Sequence, residues 1–308
     1  MNVGDGCCTT RRQNTHGTEV RELLYLMPRR HLLILVAVSL PVIATAGVVG
    51  VSSFLTEREI EGHSATVHRI AAEHRPAPID PAAMQALPAP VKRYLEFAVP
   101  DPAVRYHVVN LIAEGDFRRP LMEGFAPTTA SQTIAVRTPA LMFAATTPIA
   151  PGIWARAYDF FADGQMEMRA KIASTLTVVD ESATDELNRT SLRRWLLESP
   201  FYPVALLPGG PVRWEAIDDT HARAIVSGFG LEAALVATFR LDGSLASFDA
   251  EEDGDLTTPY HGSGEHAARD DYRPVAGMMI PHAFVIARAA GGKTYPFWKG
   301  QIISIAFE

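Results

Sequence analysis

The chain has 308 residues, of which 47% are hydrophobic and 20% are charged, and its formal net charge is −7. This composition is typical of a folded globular protein and excludes a wholly disordered chain. Its two cysteines, Cys7 and Cys8, are adjacent, which excludes a disulfide-stabilised scaffold.

An uncharged, strongly apolar segment covers residues 32–55. A helix needs about 20 apolar residues to cross the hydrocarbon core of a bilayer, so this segment is long enough. Pro41 lies in its middle, which membrane helices tolerate. The alternative is a buried core helix, but an uncharged run of this length is unusual in a soluble domain. The sequence therefore predicts a transmembrane segment at 32–55.

The charge differs on the two sides of this segment. Residues 1–30 contain five arginines against three acidic residues, a net charge of +2, and the remainder of the chain has a net charge of −9. The positive-inside rule therefore predicts a cytoplasmic tail over 1–31 and an extracytoplasmic C-terminal domain at the cell membrane. An acidic domain without a basic stripe also disfavours nucleic acid, so no nucleic-acid partner is predicted.

A cleaved signal peptide is the alternative to a retained anchor. Ala44-Thr45-Ala46 has the small-x-small form of a cleavage site, and a true start at Met27 would give a signal peptide of ordinary length. The retained anchor is favoured because the apolar run continues past Ala46 to Leu55.

Residues 56–90 are predicted to form a helical and proline-rich linker. Glu57 to His74 has apolar residues at helical spacing, so a helix here continues the membrane segment outward. Prolines then interrupt the chain, and Asp80-Pro81 is typical of the start of a short helix. The predicted β-rich domain covers 91–308 and begins with a helix at 91–97.

Beyond Pro102 the chain consists of short runs rich in β-forming residues, separated by turn signals. Asp242-Gly243 and Gly291-Gly292 are typical hairpin turns. We expect roughly nine strands in all. The runs that favour strands are 104–117, 131–136, 140–145, 153–161, 165–179, 212–217, 222–229, 231–241, 244–250, 272–289 and 295–307.

One amphipathic helix interrupts these strands, with Thr184 as its N-cap and Leu192, Trp195 and Leu196 in its apolar stripe. Strands that follow one another at hairpin spacing favour an antiparallel meander over a parallel sheet. The predicted fold is therefore mainly β, of the α+β kind. It is a curved antiparallel sheet or open half-barrel packed on one central helix, preceded by a transmembrane helix.

Metal-binding and catalytic motifs are incomplete. Residues 249–255 begin like a calcium loop, but Tyr260 stands where the bidentate glutamate is expected. His261 and His266 lack the spacing of a zinc site. The sequence predicts no cofactor and no metal, and it favours a binding protein over an enzyme.

The predicted ligand-binding residues are large aromatic side chains with a few polar anchors, the composition of a typical ligand pocket. Simple core packing is the alternative for each apolar member. The apolar candidates are Tyr94, Phe117, Trp154, Phe161, Met168, Trp195, Trp214 and Trp298, and the polar anchors are Arg118, Arg189 and Glu198.

Four stretches support a resemblance: 87–95 (LPAPVKRYL), 186–208 (beginning ELNR and ending ALLP), 212–218 (VRWEAID) and 295–300 (YPFWKG). Over about Leu87 to Phe307 the chain resembles an uncharacterised bacterial family, a domain of unknown function often preceded by a membrane segment. The resemblance implies no known activity and no catalytic residue.

At the level of fold, the second half is also similar to the lipoprotein-carrier half-barrels. The hairpin at 239–243 and the strand that includes 280–282 support this likeness. It implies a curved sheet that wraps a helix and leaves an apolar cavity for acyl chains.

The leading hypothesis is a membrane-anchored extracytoplasmic domain that binds an apolar or lipid-like ligand. One alternative is an extracytoplasmic hydrolase that uses Glu, Asp or His in the cleft of the sheet. The other is a non-catalytic envelope scaffold, which would present an exposed apolar patch instead of an enclosed pocket.

Overall fold

The structure is a computed structural model that describes residues 29–73, 79–101, 103, 106–119, 123–254, 256 and 265–308. The chain divides into two compact units, Met1–Val51 and Ser52–Glu308. Helix α1 (Arg29–Glu73) begins in the first unit and ends in the second. Within Ala37–Glu73 it contains a window with mean hydropathy 1.9, none of it buried, so α1 is long and apolar enough to cross a membrane.

Thirteen antiparallel strands form the second unit. They are β1 (Val108–Phe117), β2 (Ala126–Ala135), β3 (Ala140–Ala150), β4 (Ile153–Ala162), β5 (Gln165–Ile172), β6 (Leu176–Ser182), β7 (Val212–Ala216), β8 (His221–Gly228), β9 (Leu231–Phe239), β10 (Leu245–Asp249), β11 (Glu265–Val275), β12 (Met278–Ala290) and β13 (Lys293–Phe307).

All thirteen strands belong to one open sheet, in the order β6-β5-β4-β3-β2-β1-β13-β12-β11-β10-β9-β8-β7. Strands that are neighbours in sequence pair with each other, except β6 and β7, which form the two edges of the sheet. The first strand, β1, pairs with the last, β13. The predicted mainly β fold, an open antiparallel sheet preceded by an apolar helix, is confirmed.

The number of strands is larger than the sequence pattern predicted. The run at 165–179 is two strands, because the chain turns at Ala173 and Ser174, which have φ values of 47° and 56°. Few non-glycine residues adopt these angles, so no sequence signal marks the turn. The strand predicted at 272–289 is likewise two strands, which meet at Ala276-Gly277.

In the described residues, three shorter α-helices accompany the sheet: α2 (Pro81–Gln85), α3 (Ala89–Ala98) and α4 (Asp185–Glu198). Two short 3-10 helices, Ser199–Phe201 and Pro203–Leu206, follow α4. Helix α4 is the predicted central helix, and the Thr184 side chain caps it by accepting a hydrogen bond from the Leu187 N–H at 3.2 Å. Its Trp195 is fully buried and donates from Nε1 to the Ala135 carbonyl at 2.9 Å. This hydrogen bond connects α4 to the last residue of β2.

The C-terminal part of α1, Ser52–Glu73, packs on the sheet with its own apolar cluster. Ile60, Val67 and Ile70 are buried there against strand residues such as Met142 and Tyr158. These strand residues are separate from the larger core around α4, because successive side chains of a strand point to opposite faces. The sheet is therefore covered by α4 on one face and by α1 on the other.

The pairing of β1 with β13 depends on a close approach at Gly115 and Gly300, which lie opposite each other. A Cβ atom added at Gly115 would lie 2.1 Å from the Lys299 carbonyl oxygen and 2.5 Å from the Gly300 Cα. Only a residue without a side chain fits between the two strands at this point.

We expect Gly115→Ala to destabilise the protein by at least about 1–3 kcal/mol, because the backbone of β13 must move away. Gly62→Ala is the matched control: Gly62 lies in α1, and a Cβ there meets nothing within 4 Å. That change should stabilise the helix by about 0.5–1 kcal/mol. Thermal unfolding of the full chain, followed by circular dichroism in one detergent, tests both. An equal melting temperature for the two variants would contradict this account of the β1–β13 pairing.

Candidate ligand-binding cavity

The inward-facing residues of β1 to β5 form in-register rows across the sheet. The row at one end of the strands consists of large, buried side chains: Val109, Ile134, Leu141, Phe161 and Met166. The next row is mixed and consists of Leu111, Gln132, Phe143, Asp159 and Met168. We call the end with the large residues the closed end.

The third row consists of alanine alone and is called the alanine row. Five strands contribute one residue each, and every residue pairs with the next: Ala113, Ala130, Ala145, Ala157 and Ala170. An alanine side chain fills no space beyond its Cβ, so the sheet surface is bare here. Small residues continue beyond the row with Thr147 and Ala155, which also pair.

A cavity of about 750 Å³ lies above the alanine row. Its lining includes Ala113, Ala145, Ala157 and Ala170, and α4 and β11 to β13 provide the other walls. A volume of this size lies within the range of small-molecule sites, roughly 300–1,000 Å³. The cavity exists because the inward side chains become smaller from the closed end toward the alanine row.

The cavity opens at the end of the strands opposite the closed end. Three lining residues at this end are exposed: Val178 by 52%, Leu256 by 43% and Tyr295 by 36%. At the closed end, by contrast, Met166 and Leu187 are buried. We call the open end the mouth; the β3–β4, β5–β6 and β12–β13 turns lie there.

Charged side chains of α4 and the sheet meet above the mixed row. Arg194 donates to Glu198 Oε1 at 2.9 Å and to Asp159 Oδ2, and its guanidinium lies 4.4 Å from the Phe143 ring centroid. Burial alone would lower the pKa of Arg194, but the two carboxylates outweigh burial and raise it above its usual value. The guanidinium therefore holds both carboxylates in place.

A second arginine in the lining, Arg269, is completely buried. Its Nη2 donates to the Leu197 carbonyl at 2.8 Å, and its guanidinium lies 4.7 Å from the Phe201 ring centroid. Burial lowers the pKa of Arg269 to about 10, so it stays charged at neutral pH.

Several buried polar atoms in the lining have no hydrogen-bond partner among the described residues. They are Arg269 Nε, Glu198 Oε2, Glu265 Oε2, Gln132 Oε1 and Trp298 Nε1. Buried polar atoms are normally paired, because an unpaired one costs about 1–3 kcal/mol. Donors and acceptors thus remain available in an otherwise apolar cavity, as in sites that orient a ligand by a few polar contacts.

The structure places three predicted ligand-binding residues in the cavity lining: Arg118, Glu198 and Trp298. Two further apolar candidates, Phe117 and Met168, line it as well. The guanidinium of Arg118 lies 5.5 Å from the Phe125 ring centroid, beside the mouth.

The other predicted residues lie outside the lining. Tyr94 and Trp195 are fully buried in the core, as is Phe161. Trp214 packs against the core, and its Nε1 donates to the Leu206 carbonyl at 3.2 Å. Trp154 is half-buried at the start of β4, and Arg189 is exposed on α4.

Sequence reasoning missed Asp159, Arg269 and Gln132. Arg194 lies four residues before Glu198, a spacing that allows an ion pair on one face of a helix. That ion pair is present, but the partners contributed by β4 and β11 are distant in sequence. In the sequence, only the alternation along each strand indicated that these residues share a face with apolar neighbours. Many strand residues have such a position, so the alternation alone does not identify a site residue.

The residues considered for metals are engaged with other side chains. Asp249 pairs with His266 and Glu251 with Arg223, whereas Asp255 and His261 lie outside the described residues.

One further group, Glu59, His63 and Glu167, brings its ligand-type atoms within 4.8 Å of one another. Arg169 lies 2.5 Å from Glu59 and 3.2 Å from Glu167, so a cation already occupies this position. The group is best explained as a charged contact between α1 and β5.

These observations define the class of protein: an open antiparallel sheet on a central helix, with a largely apolar cavity, preceded by an apolar helix. The chain belongs to DUF6920, a family of unknown function, which matches residues 85–307. The predicted family resemblance is thereby confirmed.

The fold is also similar to that of a LolA superfamily protein from Nitrosomonas europaea. The likeness has a TM-score of 0.35 at 8% sequence identity and covers 72% of this chain and 94% of the other. No curated protein matches the sequence.

We expect Arg194→Met to destabilise the protein by about 2–3 kcal/mol, because Asp159 and Glu198 then face each other without a cation. This is below the roughly 3–5 kcal/mol of a fully buried pair, because the Arg194 side chain is 27% exposed. Arg213→Met is the control: Arg213 pairs with Glu215 and Glu232 but is 52% exposed, so the loss should be at most about 1 kcal/mol. Denaturant unfolding of the full chain measures both; equal losses would contradict the charged cluster described above.

Proposed function

We propose that this protein is a membrane-anchored extracytoplasmic receptor or carrier for a lipid-like amphiphile. The alanine row supports this most directly, because it keeps open a largely apolar space of about 750 Å³. A core selected for stability alone would fill such a space, since empty apolar volume lowers stability by about 24 cal/mol per Å³. We infer that a ligand with apolar surface fills it.

The anchor in this proposal is residues 32–55, with the tail 1–31 in the cytoplasm and the domain 91–308 outside. The unburied apolar window of α1 supports the span, and the basic tail before an acidic domain supports the orientation. In this proposal, residues 56–90 connect the anchor to the extracytoplasmic domain.

The polar end of the ligand is proposed to bind between Arg269 and Glu198, which have an unpaired donor and an unpaired acceptor. Asp159 and Glu198 already balance the charges of Arg194 and Arg269, so an ionic headgroup would add an unbalanced charge. A neutral group that both donates and accepts, such as a hydroxyl or a primary amide, fits these atoms best.

The hydrolase alternative has weaker support. Asp159 and Glu198 both bind Arg194, and Glu265, a further carboxylate of the lining, binds Arg193 at 2.6 Å. Each of these carboxylates is already engaged by an arginine, so proton transfer to a ligand would require that contact to break.

The test is native mass spectrometry of the full chain, extracted from the membrane in a polymer disc and released in the instrument. We expect a retained mass that extracts into organic solvent. Ala157→Phe places a ring above the alanine row and should reduce occupancy at least about tenfold, equivalent to about 1.4 kcal/mol. Ala216→Phe introduces the same side chain at an exposed position of β7 and should leave occupancy unchanged.

Both variants keep the same membrane segment and hence the same surrounding lipid, so the difference between them reports on the cavity. Equal retained mass in Ala157→Phe and Ala216→Phe would contradict the proposed site. A full chain with no retained mass at all would contradict the proposed function.

A further inference from the structure

The C-terminal part of α1 runs along the sheet from the mouth to the closed end. Thr56 accepts a hydrogen bond from Lys171 Nζ at 3.1 Å, and Glu57 accepts two from Arg156, each at 2.8 Å. Lys171 is next to the last residue of β5, and Arg156 is near the start of β4, so both lie at the mouth. Farther along the helix, His68 lies 3.8 Å from Glu308, beyond the other end of β13.

The apolar segment therefore ends at the level of the mouth. Its last residue, Leu55, precedes the buried Thr56 and belongs to the same compact unit as the sheet. Consecutive residues of a helix rise 1.5 Å, so Leu55 lies within one turn of the Lys171 and Arg156 contacts. A bilayer that covers residues 32–55 would have its surface close to these contacts.

The turns at the mouth present apolar side chains to their surroundings. Ile153, the first residue of β4, is 44% exposed, and Leu176 and Val178, near the start of β6, are 61% and 52% exposed. Arg156 and Lys171 lie beside them, but both side chains are largely buried and pair with Glu57 and Glu59 of α1. An exposed apolar patch of this kind is typical of a surface that contacts a partner or a membrane.

The basic side chains at the rim add to this pattern. Arg118 and Arg119 line the cavity, and neither forms an ion pair with another residue in the described part of the chain. Lys299 lies 5.1 Å from the Phe125 ring centroid, next to Arg118. Phosphate groups of a bilayer surface would complement these cations.

We propose that the mouth docks on the lipid bilayer, with Ile153, Leu176 and Val178 inserted among the headgroups. The cavity then opens toward lipid, and its ligand enters from the bilayer without crossing water. This inference rests on the proposed membrane anchor and lipid-like ligand, and it goes beyond them by naming the surface of the domain that contacts the membrane and the source of the ligand.

The experiment uses the full chain with Cys7 and Cys8 replaced by serine, so that one introduced cysteine is labelled with the polarity-sensitive fluorophore NBD. Leu176→Cys and Ile153→Cys report on the two turns at the mouth. Leu241→Cys is the matched control: Leu241 is 92% exposed and lies in the β9–β10 turn. This turn is next to the end of β11 opposite the mouth, because Tyr272 donates to the Leu245 carbonyl at 2.9 Å. Each protein is reconstituted into vesicles of phosphatidylethanolamine and phosphatidylglycerol, with or without nitroxide-labelled acyl chains.

We expect nitroxide lipids to quench the labels at 153 and 176 several-fold more than the label at 241, with blue-shifted emission only at the mouth. Quenching at 153 and 176 no stronger than at 241, or at only one of the two, would overturn the docking surface. Vesicle flotation separates this result from a failure of the anchor: a chain that floats without quenching is anchored but not docked. A chain that does not float contradicts the proposed anchor itself.

Leu176→Asp, with Leu241→Asp as its control, tests whether the Leu176 side chain is needed for docking. An inserted leucine replaced by a carboxylate should leave the anchor intact but release the mouth, so the label at 153 should lose its quenching. Unchanged quenching at 153 in Leu176→Asp would overturn the proposed insertion. The mass retained by each variant in native mass spectrometry shows separately whether the cavity still holds its ligand.

Discussion

The small size of alanine, at paired positions on five neighbouring strands, determines where this domain has a cavity. Alanine at five paired positions leaves the sheet bare, while the row at the closed end consists of large, buried side chains. A single larger residue in the alanine row would fill part of the cavity and interrupt the bare surface that the five strands form together. The sheet is thus packed at one end and open at the other because of a gradient in side-chain volume.

Helix α4 completes this arrangement by covering only part of the sheet. Its apolar stripe packs into the main core, and its Arg194 side chain reaches across to β4. Burying such charges costs free energy unless they are paired, and Arg269 remains incompletely paired in the structure. Buried polar groups without a full set of hydrogen bonds are typical of functional sites, because a ligand can supply the missing partner.

The contact of α1 with the sheet connects the proposed ligand site to the proposed membrane. Ile60 and Val67 fix the helix on the face opposite the cavity, and Glu57 and Glu59 bind Arg156 and Arg169 along it. The helix is therefore held at a defined height on the sheet, with Thr56 at the level of the mouth. In the proposed arrangement, one helix both retains the domain at the bilayer and directs the mouth toward it.

The sequence by itself determined the elements that depend on local patterns. The apolar segment 32–55, the helix capped by Thr184 and the Asp242-Gly243 turn each follow from neighbouring residues, and the antiparallel fold class follows from their order. Alternation along each strand also indicated which residues share a face. Only the tertiary structure decided that alanines of five strands align and that Asp159 and Arg269 meet α4. The reason is that strand register depends on pairing between distant segments, and a shift of one residue would send every inward side chain to the other face.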